Sequence, residues 1–365
     1  MMCSGYRILV ASYTDGLTSL LFDPKGPTLE VTSKIKVGNR PSWLTAHPDD
    51  PTLVFTGLEQ SDGIIIALKF NEDGNATVVG QIPSGGADPA SLLATTSTLF
   101  VGNYSSGTIL AAPVSASPPY FSKHPKSSLL QLKGMGPNPQ RQESSHPHHV
   151  VSIPGRTEFL IPDLGADRTW RIVRDPAGEL IIKGEVVYPP GNGPRHVVFH
   201  EGILYTLNEL TSTLTAHRLP PLPAVPTLLS TTPTLRRPSE EPLGDRLAAE
   251  LLLAPAVTGG DPSFLYASNR NDPSPAGDTL VVFSLEKPET PELVEEVYTG
   301  LRHLRGAAIV GEDSRWVVLG GTQGGGVKVY ERVDRGRSLR EIASLPEVEQ
   351  PTAFLWWGEA RKTGH

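Results

Sequence analysis

With 365 residues and a formal net charge of −7 spread through the chain, the protein lacks the basic patch that a nucleic-acid binder shows, which points to small-molecule or protein partners. Its one cysteine, Cys3, excludes an intrachain disulfide and a thiolate metal cluster, and no apolar run approaches the roughly 20 residues of a membrane-spanning helix. The 36 glycines and 35 prolines are scattered and make up roughly a fifth of the chain, against about 12% in ordinary usage, so many turns are expected.

The chain begins MMCSGYRILVASYTDG, whose apolar segment is too short for a signal peptide, so a cytoplasmic protein with no membrane association is expected. The following "YRILVASYTDGLTSLLFDP" predicts a strand pair. Six internal repeats then share one template of apolar run, polar turn, apolar run, Gly-rich turn and third run. They open at "RPSWLTAH", "DPASLLAT", "HPHHVVSI", "PRHVVFHE", "LAAELLLA" and "LRGAAIVG". Segments such as "TLVFTG", "TLFVGNY", "EFLIP", "ILYTLNE", "FLYASN" and "WVVLGG" are short and rich in β-branched or aromatic residues, as strands are. The repeats start about 48 to 58 residues apart, near the period of propeller blades whose fourth, outer strand is weak and polar.

The C-terminal "PTAFLWWGE" reads as a strand with no blade of its own. Pairing it with the N-terminal strands yields a seventh blade and leaves no open edge. The predicted fold is therefore all-β, a seven-bladed propeller of four-stranded antiparallel blades forming a single domain over residues 1–365. Two Pro- and Ser-rich stretches, near 112–145 and 217–246, lack strand periodicity and are expected to be long outer loops. The Gly-rich "LGGTQGGGV" lacks the Lys-Ser/Thr ending and following helix of a phosphate loop, and reads as a tight β-turn.

In a propeller the first strand of each blade lines the central channel, so polar residues at first-strand starts converge at its mouth. Aligning the repeats places Ser42, Asp88, His148, Arg195, Glu250 and Arg305 there, and second-strand ends add Glu59, Asn103, Asp163, Glu209, Asn269 and Arg270. A funnel lined by ionisable groups from several blades is the concave site where chemistry is sought first.

The strings "VGNYSSGTI", "HPHHVV" followed by "PDLGADR", "GPRHVVF" followed by "NEL", and "YASNRNDP" together resemble the lactonase family of seven-bladed propellers, which includes 6-phosphogluconolactonases and the fungal carboxy-cis,cis-muconate cyclase. The likeness spans almost the whole chain, and "SNRNDP" and "GGGVKVYERV" are similar to the fungal branch. The resemblance implies a site built from the second His of His-Pro-His, the Arg of Gly-Pro-Arg-His, the Glu of Asn-Glu-Leu and the Arg of Ser-Asn-Arg, here His148, Arg195, Glu209 and Arg270. Two departures stand out: "TGLEQ" keeps Glu59 without the usual Asn, and "DPAS" puts Ala90 and Ser91 where relatives often carry Cys-His.

These residue types suit a small anionic substrate, a lactone or an unsaturated polycarboxylate. Two guanidiniums can fix a carboxylate and a developing oxyanion, and neutral imidazole can move a proton near pH 7. Lactone hydrolysis would use His148 or Glu209 to activate water, whereas a muconate-type lactonising cyclase would use the acid–base group to protonate carbon. A non-catalytic protein-binding scaffold is the third possibility. No organic cofactor is implied. Three imidazoles near a carboxylate can hold zinc, but strand neighbours point to opposite faces, so His146, His148 and His149 are not expected to converge, and no metal is required. His146, His149 and His196 are read as structural, and Asn103, Asp163, Glu59, Glu250 and Arg305 as turn caps or ties between blades.

Overall fold

Seven four-stranded antiparallel sheets arranged as the blades of a propeller make up the computed structural model, which describes residues 5–71, 74–122, 127–236, 246–256 and 262–359. Cys3, residues 123–126 of the first Pro-rich stretch and residues 237–245 near the end of the second lie outside these. The inner strands are Pro41–His47, Pro89–Ala94, Val151–Ser152, Pro194–His200, Leu247–Ala254 and Arg302–Val310 in blades 2 to 7, and each blade continues outward in chain order. Blade 1 closes the ring: its inner strand is the C-terminal Pro351–Glu359, hydrogen-bonded to Tyr6–Ser12, then Gly16–Asp23 and Thr28–Lys36. The N-terminus thus supplies three strands rather than the predicted pair. The third, "TLEVTSKIK", was hidden because its burial is slight and its composition polar.

Each second strand is sandwiched between two neighbouring blades, so both of its faces are apolar. In Tyr6–Ser12, Ile8 and Val10 pack with Val310, Trp316 and Val318 of blade 7, while the alternate residues Leu9 and Ala11 pack with Leu44 and Val54 of blade 2. This explains why the repeats read as continuous apolar runs, as in Phe264–Arg270, where every residue is buried. Burying each large aliphatic or aromatic side chain contributes about 1.5–3 kcal/mol, and seven such clusters, one per interface between blades, hold the ring together. Among the described residues the only helical element is a single 3-10 turn at Asp334–Gly336, and no helix is long and apolar enough to cross a membrane.

The two Pro-rich stretches are more ordered than their composition suggested. Ser128–Gln131 and Thr227–Pro233 are the outer strands of blades 3 and 5. The connection before Thr227 is fastened to blade 4 by buried Arg171, which grips Glu158 through two N–H groups (2.8 and 3.0 Å) and donates to the carbonyls of Pro220 (2.7 Å) and Ala224 (2.9 Å). Proline-rich backbone lacks N–H donors, so its carbonyls are available for a side chain from outside the segment.

Candidate active site

Four inner strands start at a proline, Pro41, Pro89, Pro194 and Pro351, a strand position where a missing N–H is tolerated. The residue before each has positive φ: Arg40 (61°), Asp88 (56°), Gly193 (64°) and Gln350 (47°). A register shift follows. Pro194 pairs with Asn208 but His196 with Leu207, so Arg195 is skipped; Arg305 is skipped between Leu304 and Gly306, and Ala249 with Glu250 between Ala248 and Leu251. Bulges of this kind release a residue from the ladder and re-aim its side chain. Arg195, Glu250 and Arg305 consequently meet groups from other blades.

Glu209, just past the second strand of blade 5, is the hub. Its Oε2 accepts from Arg195 Nη1 (2.8 Å) and Arg270 Nη2 (3.0 Å), and its Oε1 from Arg141 Nη2. Arg195 also donates from Nε to the Ala249 carbonyl (2.8 Å) and lies with Nη1 against His148 Nε2. A guanidinium has only donors, so His148 Nε2 accepts and the ring proton sits on Nδ1, which is buried without a partner. The structure therefore brings His148, Arg195, Glu209 and Arg270 together, each at most 4% exposed. Arg270 reaches His303 Nε2 (3.4 Å), whose Nδ1 contacts Asn271 Oδ1 (2.8 Å).

Burial alone would raise the Glu209 carboxyl, but Arg270, Arg195 and Arg141 outweigh it and hold the group far below the usual carboxylate range. Burial, reinforced by Arg195, pulls His148 well below an ordinary histidine, so it is neutral at pH 7. Burial works against the charge on both Arg195 and Arg270, with Glu209 opposing it.

On the opposite side of the mouth, Tyr13 donates to both Glu59 oxygens (3.0 and 3.1 Å), and its ring carries Arg40 at 4.5 Å and Arg305 at 5.3 Å; Arg305 Nη2 lies 3.7 Å from Glu59. Deeper, His196 Nδ1 contacts Glu250 Oε1 (2.5 Å), and its ring stacks on His149 (4.7 Å) with Trp43 against both. His149 itself accepts from Val197 N (3.4 Å). His146 stacks on Tyr104 and contacts Glu143, while His148 lies between the rings of Tyr104 and His196, so of the three histidines of "HPHH" His148 is the one against Arg195.

Of the other polar second-strand ends, Asn103 and Asn269 bind carbonyls of Ser84 and Thr234 and hydroxyls of Thr108 and Thr279, staples internal to the fold. Asp163 accepts from Ser145, His146 N, Ala166 N and Trp170 Nε1, fixing the chain that leads to His148. That chain also needs Gly165, where an added Cβ would lie 1.7 Å from the Ser144 carbonyl oxygen and 2.9 Å from the His146 ring. Gly165→Ala should destabilise the protein by about 1–3 kcal/mol, read as a lower urea midpoint; an unchanged midpoint would count against this packing.

Sequence reasoning missed Arg141, because its stretch carries no repeat phase to place it, and it missed the pairing of Glu250 with His196, whose signal was present in the aligned first-strand positions. Tyr13 follows the second strand of blade 1 and Arg40 precedes the inner strand of blade 2, but nothing in the residue pattern says that Tyr13 lies between two guanidiniums.

A ring of seven sheets with a buried Arg–Glu–His cluster at one mouth defines a propeller with an enzyme-like polar centre. Residues 7–356 match the family described as lactonase, 7-bladed beta-propeller, and the chain belongs to that family. It is 28% identical over 366 aligned positions to a protein of Arthroderma benhamiae named "probable 6-phosphogluconolactonase", covering 95% of this chain and 88% of that one. It is also 28% identical over 218 positions to the 6-phosphogluconolactonase of Bacillus subtilis, covering 57% of this chain and 60% of that one. Among solved structures, the periplasmic gluconolactonase PpgL of Pseudomonas aeruginosa superposes with a TM-score of 0.81 at 23% identity, covering 96% and 98% of the two chains, a likeness of fold.

Proposed function

We propose that the protein hydrolyses the lactone of a sugar acid or related organic acid that carries an anionic group. The observation that carries this reading is the surplus of guanidinium at one mouth: the four arginines Arg141, Arg195, Arg270 and Arg305 outnumber the three carboxyl groups of Glu59, Glu209 and Glu250. Buried guanidiniums beyond what the carboxylates neutralise favour an incoming anion. The relatives named 6-phosphogluconolactonase support a phosphosugar lactone, and the two separated arginine groups suit a substrate with a phosphate at one end and a reacting carbonyl at the other.

Within this reading Arg195 and Arg270 donate to the carbonyl oxygen as it becomes an oxyanion, Glu209 holds both forks in place, and His148 orients Arg195 through its Nε2 lone pair. Water adds to the carbonyl carbon, the ring C–O bond breaks, and the proton lost by water ends on the ring oxygen, giving a hydroxy acid. Glu209 is a poor base here because three guanidiniums keep it ionised, and the available lone pair of His148 already faces Arg195.

A panel of aldonolactones, plain and phosphorylated, together with carboxymuconates, tests the reading by acid release and loss of diene absorbance. Acid release from a phosphorylated aldonolactone above the spontaneous rate is expected. Turnover of carboxymuconate alone would replace hydrolysis by cyclisation, and no turnover of any member would remove the proposal.

A further inference from the structure

We infer that Glu250 is the general base of this site and that His196 is its positioning residue. The inference rests on the lactone-hydrolysis reading and supplies the proton acceptor that Glu209 and His148 do not.

Glu250 differs from the other two carboxylates of the mouth. Glu59 and Glu209 are each ion-paired with arginine, whereas the salt-bridge partner of Glu250 is His196. Its hydrogen bonds to His196 Nδ1 (2.5 Å) and Leu251 N (3.3 Å) both run through Oε1. Oε2 makes no hydrogen bond among the described residues, and the side chain is 13% exposed where that of Glu209 is 1% exposed. One oxygen is thus anchored and the other available. The bulge that skips Ala249 and Glu250 puts the carboxyl beside the backbone carbonyl that holds Arg195 Nε, and so next to the proposed oxyanion donor.

His196 is 1% exposed and clamped by the rings of His149 and Trp43. An ionised carboxylate only accepts, so Nδ1 carries the imidazole proton and Nε2, buried without a partner, carries the lone pair. The charged and titratable groups facing Glu250 are Arg195 and His196 from blade 5, His149 from blade 4 and Arg305 from blade 7. Burial raises the carboxyl to about 7 against the pull of Arg195 and His149, which suits a base working near neutrality.

In the step, Oε2 of ionised Glu250 takes a proton from water as the water oxygen bonds to the lactone carbonyl carbon. Collapse of the tetrahedral adduct breaks the ring C–O bond, and the protonated carboxyl returns that proton to the departing alkoxide. No co-reactant is needed. The base must be ionised, so kcat rises with pH through an acid limb set by Glu250.

Glu250→Gln should lower kcat by about 10²-fold or more with KM little changed and should erase the acid limb. His196→Phe should keep the limb but move it upward, because a donor to the charged form is lost while the ring's stacking is kept; a purely structural His196 would leave it in place. Wild-type kcat and an unmoved limb in Glu250→Gln would overturn the proposal. Two further measurements hold if that variant fails to fold or if no lactone is turned over. Glu250→Asp should keep the limb with reduced kcat. In 15N-histidine spectra of the wild-type protein, the His196 Nδ1 resonance should respond to a titration with its midpoint near 7; a His196 signal flat across neutral pH overturns the role of Glu250 whatever the substrate is.

Discussion

Arg195→Ala is expected to reduce kcat/KM on the lactone substrate by two to three orders of magnitude, about the loss seen when one oxyanion donor is removed from a preorganised site. The guanidinium is fixed from three sides, by Glu209, the Ala249 carbonyl and His148, so in the proposed role it would need little reorganisation to reach the reacting oxygen. Arg270→Ala should lose a comparable amount. Both variants should remain folded, because Glu209 keeps two of its three guanidinium partners in each, and near-UV circular dichroism checks this. Arg195→Lys discriminates charge from geometry: a point charge cannot reproduce the fork, so most of the loss should persist. Near-normal rates in Arg195→Ala and Arg270→Ala together would refute the assignment.

Removal of Glu209 has the opposite profile, with a large cost in stability. Glu209→Ala leaves Arg141, Arg195 and Arg270 without their shared carboxylate, and stranding buried charge in this way costs about 3–5 kcal/mol. The pH dependence follows from the depressed pKa of the folded state. The stabilisation is full at neutral pH, begins to fall as pH drops past the ordinary glutamate value of about 4.3, and is lost once pH has passed through the lower folded-state value. Urea unfolding at pH 7 should therefore separate wild type from Glu209→Ala by several kcal/mol, with the gap closing in strong acid. A gap that is absent at pH 7 would mean that the arginines find other partners.

The architecture was legible because blades repeat: the second strand of each repeat is buried on both faces and announces itself as an apolar run. Outer strands such as Thr28–Lys36 and Thr227–Pro233 are largely exposed and polar, so composition made them look like loops. His148, Arg195, Glu209 and Arg270 could be placed because each occupies an equivalent position within its repeat or the turn after it. Arg141 could not, since it arrives from a connection between blades and its reach into the mouth depends on tertiary path alone. Glu250 was visible as a first-strand residue, but its distinction from Glu209 depends on which neighbours are guanidiniums and which is an imidazole, a fact of three dimensions.

The most direct measurement is a crystal structure of the protein bound to the lactam analogue of a phosphorylated aldonolactone. The lactam carbonyl oxygen should lie within about 3 Å of an N–H of Arg195 or Arg270, with the phosphate toward Arg40 and Arg305. An analogue seated away from the ring mouth, touching none of these guanidiniums, would contradict the claim that the blades converge on a site for an anionic lactone.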